Sequence, residues 1–526
     1  MLFADAAAED LLGGLLHELR RPDPARWQQV KHNASRSVYR GRVGGTEVYL
    51  KHFHSRALPR RIGRALGRSE AARELQRAQY LNAHGVPTPQ PLAASPGPRT
   101  EWVATRAVPN ATGGDRWHAE QLRRGRAGRR ALRRATRQLA ETLARMHAAG
   151  VLHGDLHCAN VLVADGGDGP RLLITDLHRL RRRRRVSRRA AAANLAQLLH
   201  DRYEQTTRTE RLRFLAHYVR AAGAGGTLRG WQRRIETFAR RHRRRQWAQR
   251  DRRVRGENRY FASLHLGGGW RARVVLASKR AVPGSAATGC TFTAAQWRQA
   301  LADPAGLLDA AGAAVLREGR QSRLVRCTLR VGARELDVFC LRRRPRGAGK
   351  RLADCFRPSR AVRGFRRGHE LLTRHVATAL PLAALERRVG PALAESILIT
   401  EGMEAPRLST FLETWLGAGS PGALPLEGPA RRRLAREMLW QLGRLLRRLH
   451  DSNYAHRNLK AENILVQWAA GQMPQLLLMD PGGLHCATHL SARARFQGLM
   501  RLNVSLLKCP TVNRAGRLRM LLSYLR

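Results

Sequence analysis

His153-Gly154-Asp155-Leu156-His157-Cys158-Ala159-Asn160 is the stretch that orders the rest of the chain. An apolar run, Val161 to Val163, follows it. A Gly-rich turn at 166–169 leads to a second run, Leu172 to Ile174, which ends in Thr175-Asp176. The pattern reads as loop, strand, turn, strand, with polar side chains at the strand ends. Phosphoryl transfer asks for this set. One carboxylate accepts or orients an acceptor hydroxyl. An Asn five residues on and a second Asp roughly twenty on hold magnesium on the phosphates. Asp155, Asn160 and Asp176 fit those three roles.

Upstream, Gln28 to Phe53 reads as strands, with VYRGRV and TEVYLKHF joined by the two-residue hairpin signal Gly44-Gly45. Lys51 ends an alternating strand, and up to Arg255 the only lysines are Lys31 and Lys51. A lysine there would meet the α/β-phosphates as a point charge. Its partner should be a glutamate on the next helix, Ser69 to His84. Glu74 is the expected one, with Glu70 as the alternative. No GxGxxG precedes Lys51. Asn33-Ala34-Ser35-Arg36-Ser37 occupies that place, where backbone N–H groups and the hydroxyls of Ser35 and Ser37 would cradle phosphates. A second helix is expected over Arg130 to Ala149, and helices dominate from Leu180 to Ala222.

HGDLHCAN followed by TDLHR resembles the lipopolysaccharide kinase family of the Kdo kinase, WaaP and InaA type, over about residues 28–220. The HGDLHxxN form is also similar to aminoglycoside and choline kinases. The resemblance implies a protein-kinase-like bilobal fold of α+β class: an antiparallel sheet plus one helix in the N-lobe, and a mainly helical C-lobe. It implies ATP and Mg2+ as cofactors. The acceptor it implies is a sugar hydroxyl, of Kdo or heptose, in the lipopolysaccharide inner core. Alternative acceptors on the same fold are a protein serine or threonine and an aminoglycoside-type small molecule. Gly154 stands where many kinases have Arg, which removes a partner for a phosphorylated activation loop. Arg181 to Arg185, with Arg188 and Arg189, lie just past Asp176 and suit an acceptor carrying carboxylate and phosphate.

The order of elements then repeats, which argues for duplication of one fold in tandem. YAHRNLKAENILV parallels VLHGDLHCANVLV, and LLLMDPGG parallels LLITDLHR. The expected organisation is an N-terminal helix at 1–27, an active kinase-like unit at 28–222, an Arg-rich linker helix at 223–257 and a second kinase-like unit at 258–526. In the second unit Asn458 stands in the place of Asp155, while Asn463 and Asp480 remain in the metal positions. Leu341 replaces Lys51, and Arg342 next to it should face the other side of the strand. Gly364 falls where Glu74 falls. An amide cannot take up a proton, so these three losses read as a pseudokinase with weak nucleotide–metal binding at most. Docking of the acceptor, support of the first unit and a relic remain open as its use.

The net charge is +58, with six lysines against 91 arginines. Part of that skew is coding bias, but the field draws the chain to phosphate-rich surfaces such as anionic lipid. Trp231, Phe238 and Trp247 interleave with Arg and could stack on bases. The packed face of a helix is the preferred reading, so nucleic acid is not the expected partner. Seven cysteines without CxxC spacing argue against a disulfide framework or zinc site and for a reducing compartment. MLFADAAAEDLLGG lacks the basic start of a signal peptide, and no apolar run reaches the roughly 18 residues of a membrane span. The expected location is cytoplasmic, peripheral at the inner face of the inner membrane.

Overall fold

The computed structural model describes residues 2–525 except 34–35, 55–68, 97–100, 168, 203–204, 279–281, 283–284, 311, 346–354, 356, 418 and 470–471. It divides into two compact units, Met1–Arg244 and Arg245–Arg526. Each is α+β, with an antiparallel sheet, one helix against it, and a helical lobe.

In the first unit the six-stranded sheet runs in the order Leu2–Phe3, Pro91–Ser95, Glu101–Arg106, Thr46–Phe53, Arg36–Val43, Trp27–Asn33. Gly44 and Gly45 both have positive φ (50° and 78°), which lets a two-residue turn match the strand twist. That turn fixes the register and sets Val38 opposite Lys51 and Ser37 opposite His52. Side chains alternate across the strand. Val48 and Leu50 point into one core with Trp102, Leu12 and Leu19. Lys51 and Phe53 point the other way. The helix Glu70–Ala83 starts at a Ser69 cap and packs Ala71 and Leu75 against Phe53 and Val103.

The N-terminal segment is broken into several elements where one helix at 1–27 is expected. Leu2–Phe3 pairs with Pro91–Ser95, two short helices follow, and Leu12 and Leu19 are fully buried over the outer face of the sheet. The Arg-rich helix, Leu228–Arg255, also differs from a linker. Trp231, Ile235 and Ala239 form an i, i+4, i+8 stripe buried in the helical lobe of the first unit. Val254 is buried in the second unit, and Arg374 lies over the Trp247 ring at 4.9 Å. The aromatics are therefore packed.

The second unit has a seven-stranded sheet in the order Phe261–His265, Trp270–Val275, Pro381–Val389, Ala392–Glu401, Arg334–Arg343, Ser322–Val331, Ala314–Gly319. Its sheet helix, Arg360–Thr373, is capped by Ser359 as the first is by Ser69. The helical lobes match in detail. His147 Nδ1 sits 2.7 Å from the Tyr218 hydroxyl, and His450 Nδ1 sits 2.9 Å from that of Tyr524.

Burial pushes His147 and His450 down to about 4 and His369 to about 3. The unfolded chain takes up these protons near the ordinary imidazole value, so the folded state is undiminished above pH 6.5 and loses stability as pH falls toward 4. Each imidazole is expected to cost on the order of 2 kcal/mol between pH 6.5 and 5, above the range where carboxylates titrate. Urea unfolding midpoints measured across that window should fall. A flat profile would mean that these imidazoles are not buried neutral.

Candidate active site

The hairpin Val161–Gly166 and Gly169–Ile174 pairs Val161 with Ile174 and carries Asn160 and Asp176 out at its base. The preceding loop is held from below. His153 Nε2 lies 2.9 Å from the Thr175 carbonyl, and Asn194 brackets the His153 backbone. Burial holds the His153 imidazole below its usual value, hence neutral. Asn160 is buried and donates its side-chain amide to the Asp155 carbonyl at 2.8 Å. That bond fixes the spacing of Asp155 and Asn160. Gly154 leaves room that a Cβ would take, since one built there lies 2.5 Å from the Arg179 carbonyl oxygen.

Lys51 Nζ donates to both Glu74 carboxylate oxygens (2.8 and 2.9 Å) and to Asp176 Oδ1 at 3.2 Å. Glu74, and not Glu70, is therefore its helix partner. Arg36 grips the same Asp176 with two nitrogens, at 2.7 and 3.1 Å, and His178 Nδ1 lies 2.5 Å from Oδ1. Burial alone would raise the Asp176 carboxyl. The hydrogen bonds from His178 and Arg36, with the charge of Lys51, outweigh it and hold the group well below the usual carboxylate range. Asp176 thus stays ionised at any physiological pH. Its backbone is left-handed (φ 61°), as is that of Asp480 (φ 49°), a conformation rare outside glycine.

Asp155 is more open, and Arg179 touches its carboxylate at 3.3 Å. An exposed pair of this kind contributes little stability, so Asp155 is free to meet another group. The Arg36 guanidinium is raised chiefly by its hydrogen bond to Asp176, against burial, and it also feels the charges of Glu74 and Asp155. Lys51, Glu74, Asn160 and Asp176 line one cleft, and Asp155 is tied to it through the bond from Asn160 to its carbonyl.

Ser37 does not join them. It is buried, and its hydroxyl lies 2.7 Å from both His32 Nδ1 and His54 Nε2 on the opposite face of the sheet. Ser35 lies outside the described residues. The side chain that reaches the cleft from this strand is Arg36, two residues before Val38 on the same face. Arg77 also supports the site from the helix, donating to the carbonyls of Leu177 and His178 at 3.1 and 2.7 Å.

The cleft is a cavity of about 370 Å³. Its lining is polar at Arg36, Lys51, Glu74, Asn160 and Asp176 and apolar at Val38, Val103, Val108 and Leu162. Ionised groups beside an apolar wall fit a nucleotide. Magnesium usually takes one or two protein oxygens and fills its shell with phosphate and water, so Asp176 and Asn160 fit it too. A larger cavity of about 500 Å³ lies in the helical lobe and contains none of these residues.

The second unit keeps the loop and carries different side chains around it. Asn463 donates to the Asn458 carbonyl at 2.6 Å, as Asn160 does to Asp155. Leu341 faces Leu398 where Lys51 faces Val103. A Cβ built on Gly364 would lie 2.8 Å from Leu398 Cδ2. An apolar contact fills the place of the Lys51–Glu74 ion pair.

A model of the lipopolysaccharide kinase (Kdo/WaaP) family matches residues 25–218 and again residues 350–521. No curated protein matches the chain. Among solved structures, WaaP in complex with acyl carrier protein is similar at 23% identity, covering 43% of this chain and 96% of that one, with a TM-score of 0.33. An aminoglycoside-3'-phosphotransferase of type VIII is similar at 21% identity, covering 43% of this chain and 98% of its own, with a TM-score of 0.30. The two matched segments fall on the two lobed units, and the chain belongs to the lipopolysaccharide kinase (Kdo/WaaP) family as a phosphotransferase in two tandem copies.

Proposed function

We propose that the first unit phosphorylates a sugar hydroxyl, of Kdo or heptose, in the lipopolysaccharide inner core. The observation that carries the reading is Lys51 Nζ set between Glu74 and Asp176. Magnesium–ATP supplies the phosphoryl group when bound. Lys51, oriented by Glu74, is the donor for phosphate oxygens. Asp176 and Asn160 hold the metal. Asp155, open to solvent, orients the acceptor hydroxyl and takes its proton.

Arg181 to Arg185 are exposed beyond the site, as are Arg188 and Arg189. Guanidinium forks suit the carboxylate of Kdo and the phosphates of lipid A. No described helix is long and apolar enough to cross a membrane. The net charge of +58 favours peripheral contact with an anionic surface, which fits an acceptor presented at the inner face of the inner membrane.

The test is purified protein with labelled ATP, magnesium and Kdo-lipid A. Label is expected on the sugar of the lipid, and none with Asp155→Ala. Absence of transfer to every core sugar offered, with transfer to a protein serine or an aminoglycoside instead, would overturn the choice of acceptor.

A further inference from the structure

The cleft of the second unit is not an emptied copy of the first. It holds a cavity of about 440 Å³ whose lining includes Arg343, Arg357, Arg360, Arg363, Arg367 and Arg457 against one carboxylate, Asp480. Among the described residues, Arg343, Arg357, Arg360, Arg367 and Arg457 make no ion pair with a carboxylate. Burial, then repulsion from Arg360, holds Arg343 below its usual value, although Asp480 pulls it the other way.

Surface arginine is common in this chain, so the internal comparison decides. By register on the neighbouring strand Arg343, opposite Ser396, stands where the first unit has Phe53 opposite Glu101. By the matching serine caps Arg360 stands where it has Glu70. In the catalytic loop Arg457 stands where it has Gly154. The last exchange is reciprocal. Gly154 leaves room under Arg179 in the first unit, whereas Arg457 lies against Gly483 in the second, its N–H donating to the Gly483 carbonyl at 3.1 Å. Three positions that line one concavity have each become arginine.

The base end of the cleft has gone the other way. Leu465, the counterpart of Leu162, is buried together with Met403 and Leu477, and Met479 packs against the same core in the place of Thr175. Guanidinium forks match phosphate oxygens two at a time, and the N-terminus of the Arg360–Thr373 helix adds donors of the same sign. We propose that this cavity is a binding site for a ligand bearing two or more phosphate groups and no nucleobase. The site is independent of which sugar the first unit phosphorylates.

Pyrophosphate is the probe, titrated calorimetrically into the full chain with Lys51→Met and Arg36→Ala in place to weaken the first cleft. One pyrophosphate per chain is expected. Adding Arg360→Gln and Arg367→Gln should weaken it by about 30-fold or more, while Arg360→Lys and Arg367→Lys keep most of it and show that the fold survives. Adenosine should not compete. Vesicles carrying bisphosphorylated lipid A, compared with vesicles of its dephosphorylated form, separate the sources. Pelleting that depends on both the phosphates and the arginine pair identifies a glycolipid headgroup. Pelleting indifferent to the pair, with pyrophosphate still bound through it, identifies a free phosphate compound. Pyrophosphate binding unchanged in the glutamine variant, or displaced by adenosine, overturns the proposal. Neither readout uses phosphotransfer, so failure here is distinct from failure of the kinase assignment.

Discussion

Asp155→Asn is expected to slow phosphotransfer by about 10²- to 10⁴-fold while leaving ATP affinity and folding as they are. The substitution removes the oxygen that can take a proton and keeps the shape. Asn160 bonds to the backbone carbonyl of Asp155, which the change does not touch. Among the described residues the carboxylate itself has only an exposed contact to Arg179, so little stability is lost with it. The chain carries its own precedent, since Asn458 occupies this position in the second unit over the same Asn-to-carbonyl bond. A fall in kcat at constant KM for ATP, with an unchanged Tm, is the expected signature. Full turnover in the variant would remove Asp155 from the chemistry.

Asp176→Asn is expected to cost about 10³-fold or more in turnover, because the metal site loses its charge. It also gives a binding result that a mere loss of fold would not. The Asp176 carboxylate occupies Arg36, Lys51 and His178 together. With an amide in its place Arg36 and His178 lose this anion while Lys51 keeps Glu74, and the cleft gains positive charge that draws other anions. ADP should then bind without magnesium at least as tightly as to the native chain, and added magnesium should no longer tighten it. Calorimetry with and without the metal reads both. Magnesium enhancement that survives the substitution would show that Asp176 does not hold the metal.

The catalytic loop was legible because its chemistry leaves few choices. The proton acceptor, the metal amide and the metal carboxylate must stand at set distances along one hairpin, and Asp155, Asn160 and Asp176 do. The strand and the helix narrowed the partner of Lys51 to Glu74 or Glu70, and Glu74 makes the pair. Ser37 was misplaced although the sequence held the answer. Gly44-Gly45 as a two-residue turn puts Val38 opposite Lys51, and pleating then turns Ser37 away and Arg36 toward the cleft. Boundaries were harder, because burial depends on partners far along the chain. Leu12 and Leu19 cover a sheet face built from residues 27–106. Trp231, Ile235 and Ala239 form a clear stripe and were read as a packed face, but the arginines around them made the segment read as a linker. The strand Phe261–His265 has no counterpart in the first unit, and Trp270–Val275 takes the place that the two-residue strand Leu2–Phe3 holds there, so the repeat gave little guide to them.

Catalysis is proposed for the first cleft and not for the second. Transfer of label from ATP to Kdo-lipid A, compared between Asn160→Ala and Asn463→Ala in the full chain, tests this most directly. Loss of transfer in Asn160→Ala with transfer retained in Asn463→Ala is the predicted result. Transfer that survives Asn160→Ala and disappears in Asn463→Ala would contradict it.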